Sequence, residues 1–180
     1  MQRKLKLLGL VILLGISTLI LYIVLHELGH CIVAVACGAK ITEFSILTAH
    51  MTYIDGNFTN LETMWFNANG VLFPLIISYV YMIFYQKKRT NSLYRIFSYF
   101  AAILPLFSLL AWVFIPILIL NDNTAISMGD DCANFLDIFS TKYNPVLVII
   151  SAIVLISLSL ILMIKKNIIK NFISLMKVKQ

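Results

Sequence analysis

The chain has 180 residues, 61% of them hydrophobic and only 12% charged, which leaves too little polar surface to cover a water-soluble globule and marks a polytopic membrane protein. Its net charge of +6 would suggest nucleic acid in a soluble protein, but the basic residues flank apolar segments and form no patch interleaved with aromatic residues, which excludes nucleic acid as a partner. Cys31, Cys37 and Cys132 lack a paired CxxC spacing, so they indicate neither a disulfide framework nor a thiolate zinc site and read as small buried hydrophobes.

Met1-Gln2-Arg3-Lys4-Leu5-Lys6 is a short basic start, which the positive-inside rule places on the cytoplasmic side, so the first helix runs outward. The apolar run over residues 7–36 exceeds the roughly 20 residues that a bilayer needs and must tilt or begin at the interface. No small-residue cleavage site follows it, so it reads as a retained membrane helix rather than a signal peptide. Gly38 is a C-terminal stop signal, and Lys40 suits the negative end of the helix dipole.

Residues 39–69 turn polar and aromatic. Ile41 to Ile46 alternates weakly and Asp55-Gly56-Asn57 marks a turn, so a short strand or hairpin is expected, either as a plain connection or as an edge for an extended substrate. His50 lies here, and a lone loop histidine is more often a surface group than a ligand. A second span is predicted over residues 70–85, closed by Gln86-Lys87-Lys88-Arg89, and a third over 96–120, where Pro105 and Pro116 predict kinks. A polar loop over 121–144 leads to a fourth span over 145–164, and the tail reads as an amphipathic interfacial helix.

The expected fold is therefore an all-α polytopic membrane protein with four transmembrane helices, a short β-like hairpin after the first and an amphipathic C-terminal tail, forming one membrane-embedded domain over residues 1–180. Twelve of the fourteen Lys and Arg residues fall on the inner side, leaving Lys40 and Lys142 outside, while all eight acids fall at the first-helix motif or in the outer loops. The expected location is an integral, multi-pass position in a bacterial cell membrane with the N-terminus cytoplasmic.

Within the first span, His26-Glu27-Leu28-Gly29-His30 places two imidazoles and a carboxylate where ionisable groups cost roughly 2.5 to 3.5 kcal/mol each, so a functional role is the default. Residues four apart share a helix face, so both histidines can aim a ring nitrogen at one Zn²⁺, with Glu27 one position around as general base. Catalytic zinc usually takes three protein ligands and keeps one position open. The richest source of the third is Met128-Gly129-Asp130-Asp131-Cys132-Ala133-Asn134-Phe135-Leu136-Asp137; Asp122 and Asp137 read better as a turn residue and a solvated group.

This HExxH in the first membrane helix, followed by Asn69-Gly70 at the second span and an Asp-bearing segment at the membrane edge, resembles the site-2 protease family of intramembrane zinc metalloproteases, over roughly residues 5 to 137. The resemblance implies His26 and His30 as zinc ligands and Glu27 as base. The family's third ligand is an aspartate in a Leu-Asp-Gly or Asn-Pro-Asp-Gly motif; this chain has neither form, and alignment puts Asp131 at that position with Asp130 the close second. The family's Gly-Pro-x-x-Asn element is also altered, since Val71 follows Gly70 and the proline waits until Pro74, with Asn67 or Asn69 as candidate contacts to substrate backbone. The implied function is a zinc-dependent endopeptidase acting on a membrane-embedded or membrane-associated peptide or protein in the bilayer. The alternative is a non-catalytic multi-pass membrane protein, an immunity or partner-binding factor with a zinc-binding or vestigial site.

Overall fold

The computed structural model of the chain describes residues 2–121 and 130–177. Helix α1 (Gln2–Ala36) is followed by strands β1 (Ala39–Ser45) and β2 (His50–Asp55). Then come α2 (Asn60–Ile83), α3 (Ser92–Leu120), α4 (Asp131–Phe139), α5 (Val146–Lys165) and α6 (Ile168–Met176). Four of these helices, α1, α2, α3 and α5, are long and apolar enough to cross a membrane.

At 35 residues, α1 is roughly 52 Å long, well beyond a hydrocarbon core of roughly 30 Å. Leu5, Leu8, Ile12, Leu13 and Ile16 point away from the other helices, as apolar residues on a lipid-facing surface do. Gly38 ends the helix in the left-handed region at φ +82°, where a Cβ would be strained.

β1 and β2 pair antiparallel from Ala39↔Asp55 to Ser45↔His50, with an irregularity between Ile41 and Glu43. Asp55-Gly56-Asn57, read from sequence as a turn, lies at the exit of β2. Asp55 and Gly56 both take positive φ, and Asn57 N–H donates to the Cys37 carbonyl (3.1 Å), returning the chain to the end of α1.

α2 begins ten residues before the expected span, because Thr59 and Glu62 form a capping box in which the Thr59 hydroxyl accepts from Glu62 N and the Glu62 carboxylate accepts from Thr59 N. That extra N-terminal length carries Phe66, Asn67 and Asn69 onto a helix rather than a loop. Pro74, Pro105 and Pro116 lie inside continuous α2 and α3; in a bundle, neighbouring helices re-satisfy the backbone groups that proline frees.

Buried and half-buried hydroxyls join the spans: Ser78 donates to the Ala101 carbonyl (2.9 Å), Tyr79 to the Leu155 carbonyl (2.8 Å), and Tyr81 pairs with Ser98 (2.6 Å). α4, within the stretch expected as loop, is pinned by fully buried Cys132 and Leu136 and by Phe135 against Trp112, ring centroids 5.1 Å apart. α6 is the helical tail. It docks on α3 through buried Ile168 and through Phe172 stacked on Tyr99 at 4.0 Å, while Asn171 donates to the Tyr85 hydroxyl and the Lys87 carbonyl.

Candidate metal centre

The cluster forms where the C-terminal part of α1 meets the N-terminal part of α2 beneath α4. His26 lies ten residues before the end of α1, about 15 Å along its axis. His26 Nε2 and His30 Nε2 are 3.3 Å apart, and each is 3.2 Å from Asp131 Oδ2. The three residues form a group able to hold a metal ion.

The fit to a metal rests on this triangle. Donors about 2.0 to 2.1 Å from a tetrahedral zinc are separated by about 3.3 to 3.4 Å, close to all three observed edges. His30 Nδ1–H donates to the Phe66 carbonyl (2.8 Å), which fixes the tautomer and turns the Nε2 lone pair inward. Two imidazole lone pairs and a carboxylate oxygen at such distances repel unless a cation or proton lies among them. The His26 and Asp131 side chains each keep 23% exposure whereas His30 is buried, so the cluster is open on one side, as a catalytic site with a free position requires. Glu27 is 3% exposed beside them.

The two adjacent aspartates have separate tasks. Asp130 caps α4, its Oδ1 accepting from Cys132 N (2.8 Å) and Ala133 N (3.1 Å). Asp131 is the first residue of that helix, where the dipole favours an anion. Burial pushes its carboxyl up, but a proton shared with His26 and His30 brings hydrogen bonds and charge that outweigh this and hold it at about 2. Burial pushes the Cys132 thiol up, and Cys132 is not among the residues that converge as donors.

Of the remaining candidates, Asn67 donates to the Thr63 carbonyl within its own helix (2.8 Å), and Asn69 donates across to the Gly29 carbonyl (2.7 Å). His50 is exposed at the start of β2 and outside the donor group. Asp137 lies on α4; Asp122, Met128 and Gly129 lie outside the described residues. The Phe66 carbonyl, which orients His30, went unnoticed from sequence, although the Thr59-x-x-Glu62 signature could have placed it on a helix. An apolar cavity of about 290 Å³, lined by residues such as Ala68, Trp112, Phe135 and Val148, lies on the opposite face of α2 and offers no metal donor.

Fold and site together define a class: a polytopic membrane protein whose first helix carries HExxH and whose bundle supplies a carboxylate to the histidine pair. A family model described as Peptidase M50B-like matches residues 7–127, and the chain belongs to that family, the site-2 proteases, a family of membrane metallopeptidases. Asp131 lies four residues past the end of the matched segment. No curated protein and no solved structure matches the chain.

Proposed function

We propose that the chain is a zinc-dependent endopeptidase that cleaves a membrane-embedded or membrane-proximal peptide bond, working from one membrane-embedded domain over residues 1–180. The observation that carries this reading is the convergence of His26 Nε2, His30 Nε2 and Asp131 Oδ2 beside buried Glu27. Zn²⁺ held by those three residues would supply Lewis-acid polarisation of the scissile carbonyl and make a water easier to deprotonate at neutral pH. Glu27 takes the proton from the attacking water as the new C–O bond forms, then delivers it to the departing amine nitrogen as the C–N bond breaks. Its burial keeps that proton from exchanging with bulk water between the two steps. Asp131 balances the charge of the site and anchors α4 over it, while His30, locked through Nδ1, keeps its other nitrogen directed inward.

The basic N-terminal segment, the Lys87-Lys88-Arg89 loop and Lys165, Lys166 and Lys170 favour a cytoplasmic N-terminus in a bacterial cell membrane, with the site opening to the opposite side. The test is cleavage of a membrane-associated peptide by the purified full chain in proteoliposomes. Chelation should abolish cleavage and stoichiometric Zn²⁺ should restore it. Cleavage indifferent to the chelator, or none by zinc-loaded protein, overturns the assignment.

A further inference from the structure

A metal site shared between helices is only as well formed as their register, and α1 meets α2 at two glycines. A Cβ at Gly29 would collide with the Asn69 carbonyl oxygen and lie 2.8 Å from its carbon; a Cβ at Gly70 would lie 2.8 Å from His26 Cε1 and from His30 Cε1, and closer still to His30 Nε2. Each glycine therefore makes room for a group on the other helix. Gly29 admits the α2 backbone, and Gly70 admits the two imidazoles.

Two polar contacts fix the same crossing. Asn69 Nδ2 donates to the Gly29 carbonyl (2.7 Å), one residue before His30, and His30 Nδ1 donates to the Phe66 carbonyl (2.8 Å), one turn before Gly70. Within α2 the Phe66 carbonyl also serves as acceptor for the Gly70 N–H in the regular helical pattern, and with no Cβ at Gly70 its flank stays open to the imidazole. Sliding α2 by one residue would break both bonds and drive a side chain into a glycine notch.

We propose that Asn69 and Gly70 are positioning residues for the metal centre: the Asn69 amide indexes α2 against α1 at Gly29, and the Gly70 notch lets His30 take the tautomer and direction that binding requires. Asn69 thus acts on the protein's own backbone rather than on substrate. The inference rests on the proposal that His26, His30 and Asp131 hold zinc.

The experiment is Zn²⁺ affinity of the full chain in detergent micelles, measured by chelator competition beside helicity and Tm. Asn69→Asp keeps the side chain's size but removes the donor, and Gly70→Ala adds only the obstructing methyl. Both should weaken zinc by the 10- to 100-fold typical of partners that orient ligands, with helicity retained. Ser78→Ala, which removes the α2–α3 bond to the Ala101 carbonyl, should lower Tm and leave zinc affinity at the parent value. Parent-like affinity in both Asn69→Asp and Gly70→Ala overturns the positioning role while leaving the metal site standing. A general weakening that Ser78→Ala shares reduces the role to overall stability and overturns it too. A parent protein that binds no zinc removes the metal reading, and the positioning role with it.

Discussion

Glu27→Gln is expected to lower kcat by about 100- to 10,000-fold, the range that one general acid–base group contributes, while zinc content and Tm stay at the parent value. The amide keeps the size of the carboxylate in a position only 3% exposed, so no cavity is created, but it cannot take a proton from water or return one to an amine. Glu27 is not part of the three-donor group, so its neutralisation should leave the metal in place. The profile that identifies a base is therefore loss of turnover with metal retained; loss of both together would make Glu27 a ligand or a structural group. Single-turnover cleavage in proteoliposomes, with metal analysis on the same preparation, reads both quantities. Turnover equal to that of an active parent removes Glu27 as base, whereas no turnover in the zinc-loaded parent favours a non-catalytic member of the family.

Which parts of this arrangement a sequence can carry follows from how far each signal reaches. The four spans are composition effects local to some 20 residues, and Gly38 ends α1 through its own backbone freedom, so both were legible. His26 and His30 share a face by helical period alone. α2 starts ten residues before its apolar run because polar residues 60–69 lower the local hydropathy, and only the short-range capping pair at Thr59 and Glu62 marks the true start. Asp55-Gly56-Asn57 carried the chemistry of a turn, but its location at the exit of β2 depends on a bond to Cys37, twenty residues back. α4 was hidden in a polar loop because its anchors, Cys132 and Leu136, are two apolar residues whose meaning lies in what α2 and α3 present to them. The choice between two adjacent aspartates is likewise non-local, since either one can ligate and either can cap a helix.

That choice gives the second large effect. Asp131→Asn is expected to weaken zinc by more than the roughly 100-fold ceiling for groups that merely orient ligands, and to lower activity in parallel, because it removes the anionic oxygen 3.2 Å from both imidazole nitrogens. Asp130→Asn should change zinc affinity by no more than a few-fold, since asparagine caps a helix about as well as aspartate and the bonds to Cys132 N and Ala133 N can persist. Asp130→Ala separates the cap from the charge. It should cost about 1 kcal/mol of stability through fraying of α4, and weaken zinc only as far as Asp131 loses its footing at the first residue of that helix. Chelator competition and thermal unfolding on the three variants give the ranking Asp131→Asn, then Asp130→Ala, then Asp130→Asn. With Asp130→Asn the most damaging instead, the ligand would be Asp130 and α4 would have to rotate to present it. With zinc and activity unchanged in all three, neither aspartate would be a ligand, and the donor that completes the histidine pair would have to come from elsewhere in the chain.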